Sequence, residues 1–218
     1  MSPVQGAERR FLSTRRRAGG EKREEVLKHV ITVLTERGYG RTRFSDVAQV
    51  AGLAVSTLQF YFGSRDDMLL EALQHSTEQE VLALEATAAE GSPWQRLVAL
   101  VDRALDPLSE DAWRMLMEFW HASMRDPELR EHGEHLHRRY RQPFVDAIRG
   151  GVEQGDFQGL ASSDEAIENV VTVLVGVLDG LIIPRVLDHE YYDGPGVRTV
   201  VLATLASALG VTPTDETA

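Results

Sequence analysis

A chain of 218 residues can bury a substantial core, as one domain or as a small domain joined to a larger one. It holds no cysteine, which excludes disulfides, thiolate nucleophiles and thiolate metal sites and gives no sign of an oxidising compartment. The net charge of −11 opposes nucleic-acid binding only as a total, because residues 1–65 carry 12 Lys and Arg against 6 Asp and Glu while the remainder carries 11 against 28. A basic head on an acidic body suits a chain that touches DNA at one end.

Residues 1–20 hold five arginines, end in Gly19-Gly20 and show no period, so they read as a flexible basic arm whose Arg15, Arg16 and Arg17 are placed to reach phosphates or a minor groove. The arm lacks the apolar run of a secretory signal, and no later stretch gives about 18 uninterrupted apolar residues. A cytoplasmic protein with no membrane partner is expected. From Glu21, the residues Val26, Val30, Val33 and Leu34 recur at helical spacing until Gly38 stops the run. A second, short helix fits Phe44 to Ala51, with Thr42 as its cap and Gly52 as its end, and a third fits Val55 to Phe62. Ser64 then opens a long helix that Gly91 closes.

Ser92-Pro93-Trp94-Gln95 combines an N-cap, a proline at the first helical position and a glutamine at the capping-box position, which predicts a helix from Pro93 to Leu105. Asp106-Pro107 breaks it. The stretch from Asp111 to about Arg125 is helical again, with Trp113, Leu116, Met117, Trp120 and Met124 on one face, and Asp126-Pro127 ends it. A further helix runs through 136–155, where Pro143 marks a kink or a first turn. In 164–188, Ile167, Val170, Val171, Leu174, Leu178 and Leu181 form one apolar face and Val173, Val177 and Ile183 a second. Asp164, Glu165, Glu168 and Asp179 make lipid a poor surrounding for it, so one face is expected to meet its own domain and the other a second subunit. Residues 197–210 give a partner helix. No alternating apolar run signals a strand, and no fixed-period repeat appears. The expected fold is all-α: a helix-turn-helix DNA-binding domain at 21–66 and a helical ligand-sensing and dimerisation domain at 67–212, flanked by the arm and a tail at 213–218.

The informative stretch is SDVAQVAGLAVSTLQFYFGSRDDML, residues 45–69. Ala48 falls where two helices cross, and Gly52, four residues on, supplies the positive φ of a turn. Val47, Ala51, Leu53, Leu58 and Tyr61 occupy the positions that pin both helices to the first. Val55, Ser56, Gln59 and Phe60 are left facing outward; glutamine pairs with adenine and valine touches a thymine methyl in a major groove that admits one helix.

Thr42, Val47, Ala48, Ala51, Gly52, Thr57, Leu58, Tyr61, Phe62, Ser64, Arg65 and Met68 together resemble the DNA-binding domain of the TetR family of bacterial repressors over residues 21–70. The resemblance implies that Thr57, Tyr61 and Arg65 hold phosphates, that Arg43 works at the start of the second helix and that Val55, Ser56 and Gln59 face bases, with Thr42 and Phe60 completing the DNA-contacting set. Three positions depart from the family pattern. Ala54 stands where a serine N-cap is usual, Ser56 where glycine is common, and Gln59 in place of a usual tyrosine. Farther on, Trp113 to Asp156, leading into Glu153-Gln154-Gly155-Asp156-Phe157, is similar to the BetI-type sensor subgroup, and Leu178-Asp179-Gly180-Leu181 lies where family members dimerise.

That likeness implies an interface built from Val170, Val173, Leu174, Val177, Leu181, Val201 and Leu205. It also makes Trp113, Met117, Trp120, Met124, Tyr140 and Phe144 either a ligand cavity or plain core. A cationic ligand would be received by tryptophan faces together with Glu118 or Asp179. His132, His135 and His137 read as a solvated segment rather than a metal site, and no cofactor is expected. His-Glu-x-x-His, a P-loop and Gly-x-Ser-x-Gly are absent from the sequence, which removes the readily recognised enzyme classes. The expected function is a homodimeric repressor released from a palindromic DNA operator by a small-molecule effector. The alternatives are an all-helical enzyme using the aromatic cavity, or an adaptor that has lost DNA affinity, as Ala54 and Gln59 allow.

Overall fold

The computed structural model describes residues 20–87, 91–105, 110–187, 189 and 195–211. The sequence-predicted basic arm, apart from Gly20, and the tail at 213–218 lie outside the described residues. Among the described residues every regular element is an α-helix. They form two compact units, one of residues 20–77 with 114–130 and one of residues 78–113 with 131–211.

In the first unit, α1 (Gly20–Arg37) packs on α2 (Phe44–Ala51), α2 on α3 (Val55–Phe62), and the part of α4 (Arg65–Thr87) up to Thr77 follows. Val26, Val30, Val33 and Leu34 of α1 are buried, as are Val47, Leu58 and Phe62 of the two short helices and Met68, Leu69, Ala72 and Leu73 of α4. Short helices bury too little alone, so each is stable only against the others. Arg23 of α1 adds an ion pair to Glu71 of α4 and lies over the Phe62 ring, 5.3 Å from its centroid. Ser64 caps α4 by accepting the Asp67 N–H at 3.0 Å, as its sequence predicts.

The second unit is built on α5 (Pro93–Leu105), α7 (Pro127–Gln154) beyond its first turn, α8 (Asp164–Gly180), α9 (Ile182–Val186) and α10 (Pro195–Leu209). Its core joins Leu97, Leu100 and Val101 to Phe144, Ile148 and Phe157, and to Ile167, Val171, Leu174 and Leu178 of α8 and Val201, Leu205 and Leu209 of α10. The α5 capping box forms in full: the Ser92 hydroxyl accepts the Gln95 N–H at 3.3 Å, and the Gln95 amide oxygen accepts the Ser92 N–H at 3.0 Å. Arg139 binds Glu85 through two bonds of 2.8 and 2.7 Å and also pairs with Glu78.

Three sequence expectations shift. α6 (Glu110–Ser123) ends before Arg125, and α7 starts at Pro127, because Asp126 accepts the N–H groups of Glu128 and Leu129 at 2.9 and 3.0 Å. Asp126-Pro127 is thus a helix start, with proline at the position where a missing N–H costs nothing. Pro143 interrupts nothing, since α7 continues through it. The apolar helix expected through 164–188 breaks instead at Gly180-Leu181. Pro184 has no N–H for the Gly180 carbonyl, and its ring crowds that carbonyl. The segment Asp164–Pro184 is long and apolar enough to cross a membrane by composition alone, yet five of its side chains sit in the core of the second unit.

Two glycines close the second unit. The Gly159 N–H donates to the Leu209 carbonyl at 3.0 Å, and a Cβ on Gly159 would lie 2.6 Å from the Gly210 nitrogen. A Cβ on Gly210, where φ is +68°, would lie 2.5 Å from the Gly159 nitrogen. Main chain meets main chain with no room for a side chain on either side.

Candidate nucleic-acid interface and effector site

The turn between α2 and α3 is set by its sequence. Gly52 has φ of +64°, the left-handed conformation that ends α2, and the Leu53 N–H closes on the Ala48 carbonyl at 3.0 Å. No atom comes within 4 Å of a Cβ placed on Gly52, so its requirement is conformational rather than steric. Ala48, 7% exposed, lies inside the crossing. Leu58 and Phe62 anchor the inner face of α3, which turns Val55, Ser56, Gln59 and Phe60 outward; all four are exposed. Tyr61 and Thr57 are half-buried on the flanks of the same helix. Ala54 stands at the N-cap of α3 without any side-chain bond, as the sequence predicts.

Three members of the expected DNA-contacting set show how the head is braced. Thr42 is fully buried, and its hydroxyl donates to the Gly38 carbonyl at 2.9 Å; it neither caps α2 nor faces outward. Arg43 occupies the N-cap position of α2, with its N–H bonded to the Asp46 carboxylate at 2.9 Å and its side chain exposed. Arg65 turns back into the head. Its Nε donates to the Thr42 carbonyl at 2.7 Å, its Nη2 to the Tyr39 carbonyl, and its Nη1 to Asp66 at 2.6 Å, with the guanidinium 5.2 Å from the centre of the Tyr39 ring. A guanidinium so engaged is a strut for the turn after α1. The sequence carries no sign of this, because the partners are backbone carbonyls.

Glu118, offered by the sequence as an anion for a cationic ligand, is engaged in the first unit, where its carboxylate accepts the Tyr39 N–H at 3.2 Å, beside Gly38 with φ of +75°. Burial first, and then the charge of Asp66, push the Tyr39 phenol up from its ordinary pKa.

The six aromatic and methionine side chains expected to line a cavity divide between the units. Met117, Trp120 and Met124 belong to the first, where Met117 is half-buried and Trp120 and Met124 are exposed. Trp113, Tyr140 and Phe144 belong to the second. Phe144 is fully buried at the heart of the core, and the Tyr140 ring packs against it with centroids 5.9 Å apart. Burial raises the Tyr140 pKa above that of a free phenol, and the charge of Asp179 raises it further. The Asp179 carboxyl is itself pushed up by burial, against an opposing pull from His137. Tyr140 and Asp179 are thus both partly desolvated and Tyr140 feels the Asp179 charge, whereas His137 is exposed. Trp94, which the sequence places only within a helix-start motif, keeps a buried indole N–H without a partner among the described residues.

Of the seven expected interface residues, Leu174, Val201 and Leu205 turn into the core of their own chain, and Val170 and Leu181 pack against it. Val173 and Val177 stay exposed, at 67% and 44%, together with Ile183 and Val200. The sequence does not single out Val200. On a helix apolar nearly all round, periodicity fixes two rows without saying which of them faces inward.

A reading helix held outward by a glycine turn, in a chain whose other described elements are also helices, defines a helix-turn-helix regulator. Residues 27–72 match the family described as bacterial regulatory proteins, tetR family, and residues 93–210 match the BetI-type transcriptional repressor C-terminal family. The chain belongs to the TetR family, with a C-terminal domain of the BetI type; it is a DNA-binding transcriptional regulator controlled by small-molecule ligands. It is similar to the HTH-type transcriptional regulator YfiR of Bacillus subtilis, 21% identical over 81% of this chain and 86% of that protein. It is also similar to the HTH-type transcriptional regulator BetI of Stenotrophomonas maltophilia, 30% identical over 50% of this chain and 57% of that protein. Among solved structures, a transcriptional regulator of Saccharomonospora viridis in complex with choline is 27% identical, with a TM-score of 0.68 over 86% of this chain and 94% of that one.

Proposed function

We propose that the protein acts in the cytoplasm as a homodimeric repressor whose two α3 helices enter successive major grooves of a palindromic operator and leave it when an effector binds the second unit. The observation that carries the reading is the outward face of α3, with Val55, Ser56, Gln59 and Phe60 exposed beside a fixed turn. Arg43, Thr57 and Tyr61 flank that face and serve the phosphates. The second copy covers Val173, Val177, Ile183 and Val200, an apolar set too exposed for a lone chain in water.

The effector is a small cation with an apolar body. Tyr140 supplies an aromatic face and Asp179 a partly desolvated carboxylate, the pairing that suits a quaternary ammonium, which has no N–H to donate. The choline held by the Saccharomonospora viridis protein is of this class. Release from DNA requires only that the effector bind the DNA-free state more tightly than the DNA-bound one.

The test combines sedimentation with DNA titration. Val173→Glu with Val177→Glu is expected to give a folded monomer whose operator affinity is lost, and choline is expected to release DNA from the unaltered protein but not from Asp179→Asn. A charged variant that stays dimeric would refute the interface, and binding that ignores DNA sequence would refute the regulator reading.

A further inference from the structure

The recognition helix carries no cation. Val55-Ser-Thr-Leu-Gln-Phe-Tyr-Phe62 holds no Lys or Arg, and the Arg65 that follows is bonded to the carbonyls of Tyr39 and Thr42. Guanine offers two acceptors to the major groove, O6 and N7, and is read chiefly by the paired donors of Arg or Lys. The outward face of α3 presents instead one carboxamide, one hydroxyl and two apolar groups. Phe60 is 69% exposed and lies tilted against the Tyr61 ring at a centroid distance of 5.9 Å; at helical spacing it pairs with Ser56 at one side of the exposed arc, while Val55 (39% exposed) pairs with Gln59 at the other. A phenyl ring left in water on a reading surface contributes little to folding; its apolar area is removed from water only when a partner covers it.

We propose that α3 reads A·T base pairs: Phe60 and Val55 pack on the 5-methyl groups of thymines, and the Gln59 carboxamide pairs with N6 and N7 of an adenine. This rests on the DNA-reading assignment above and adds the base chemistry to it. The methyl group is the one apolar handle in the major groove, and no other base presents it.

The experiment selects binders of the full chain from a randomised duplex pool and then replaces thymine by uracil, one position at a time, in the recovered duplexes. Uracil removes the methyl and keeps every hydrogen-bonding atom. The expected result is an A·T-centred half-site in which uracil at one or two positions weakens binding about fourfold each, the worth of one buried methyl. Phe60→Ala is expected to abolish the uracil effect at its own thymine, while Phe60→Leu keeps it; both variants should melt with the unaltered protein, since the ring packs into no core. Recovered half-sites centred on G·C, or affinities unchanged by uracil at every thymine, would overturn the proposal and leave DNA reading intact. A pool that yields no preferred sequence would overturn both.

Discussion

Arg65 shows how a residue type can mislead. Family resemblance assigns it to a phosphate, while three of its five N–H donors are engaged by the Tyr39 and Thr42 carbonyls and by Asp66. Arg65→Ala leaves two part-buried carbonyls short of a donor, at a cost of about 1–3 kcal/mol. Its first effect should be a lower melting point, with DNA affinity lost only as far as the head unfolds; a variant that melts normally yet fails to bind would restore the phosphate role. Lysine should not rescue it, because a single ammonium cannot span both carbonyls in the fork geometry. Asp179 gives a prediction of opposite kind. Burial raises its folded-state pKa above the unfolded value, so the folded chain holds the proton more tightly and loses stability as pH rises between the ordinary carboxylate range and the raised value. Asp179→Asn should therefore melt higher than the unaltered protein near neutral pH, and the gain should fade in acid. An unchanged melting point at neutral pH would mean that Asp179 stores no strain for function.

At the scale of elements, local signals decide most of the outcome. The α2 and α3 boundaries, the Gly52 turn, the Ser64 cap and the Ser92-Gln95 box are legible because each depends on residues within a few positions of one another. Asp126-Pro127 reads in sequence as an end and is a start, since the same dipeptide serves both and only the bonds from Glu128 and Leu129 distinguish them. What is not legible in the sequence depends on contacts far apart in the chain: the engaged Arg65, and which apolar row of α8 and α10 turns inward. The missing cap on α3 leads to a prediction. Ala54→Ser supplies a hydroxyl where the N-cap side chain now makes no bond, and should raise stability by about 1 kcal/mol, read from a denaturant midpoint with unchanged slope. A neutral result would mean that the first turn of α3 finds its acceptors elsewhere.

For the whole molecule, charge is divided by sequence position, and DNA affinity has to come from the basic end. With α3 uncharged and Arg65 engaged, the phosphates draw on other cations of the head; Arg37 pairs with Asp46 at 3.2 Å, which leaves Arg41 and Arg43 exposed at the α2 side. The five arginines of residues 1–19 are then a large share of the available charge. Deleting residues 1–19 should weaken binding to all duplexes alike and flatten the salt dependence by about 0.9 in the log–log slope for each phosphate no longer neutralised. An unchanged slope would confine the phosphate contacts to the helical head.

The paired glycines at 159 and 210 bear on transmission. The two backbones abut, so the loop that leaves α7 is held against the end of α10 by main-chain contact. On the proposed assignments, sensing and pairing would share a single rivet. The amide hydrogen of Gly159, bonded to Leu209, is its natural gauge: its rate of exchange with heavy water measures how often that rivet works loose, with effector and without.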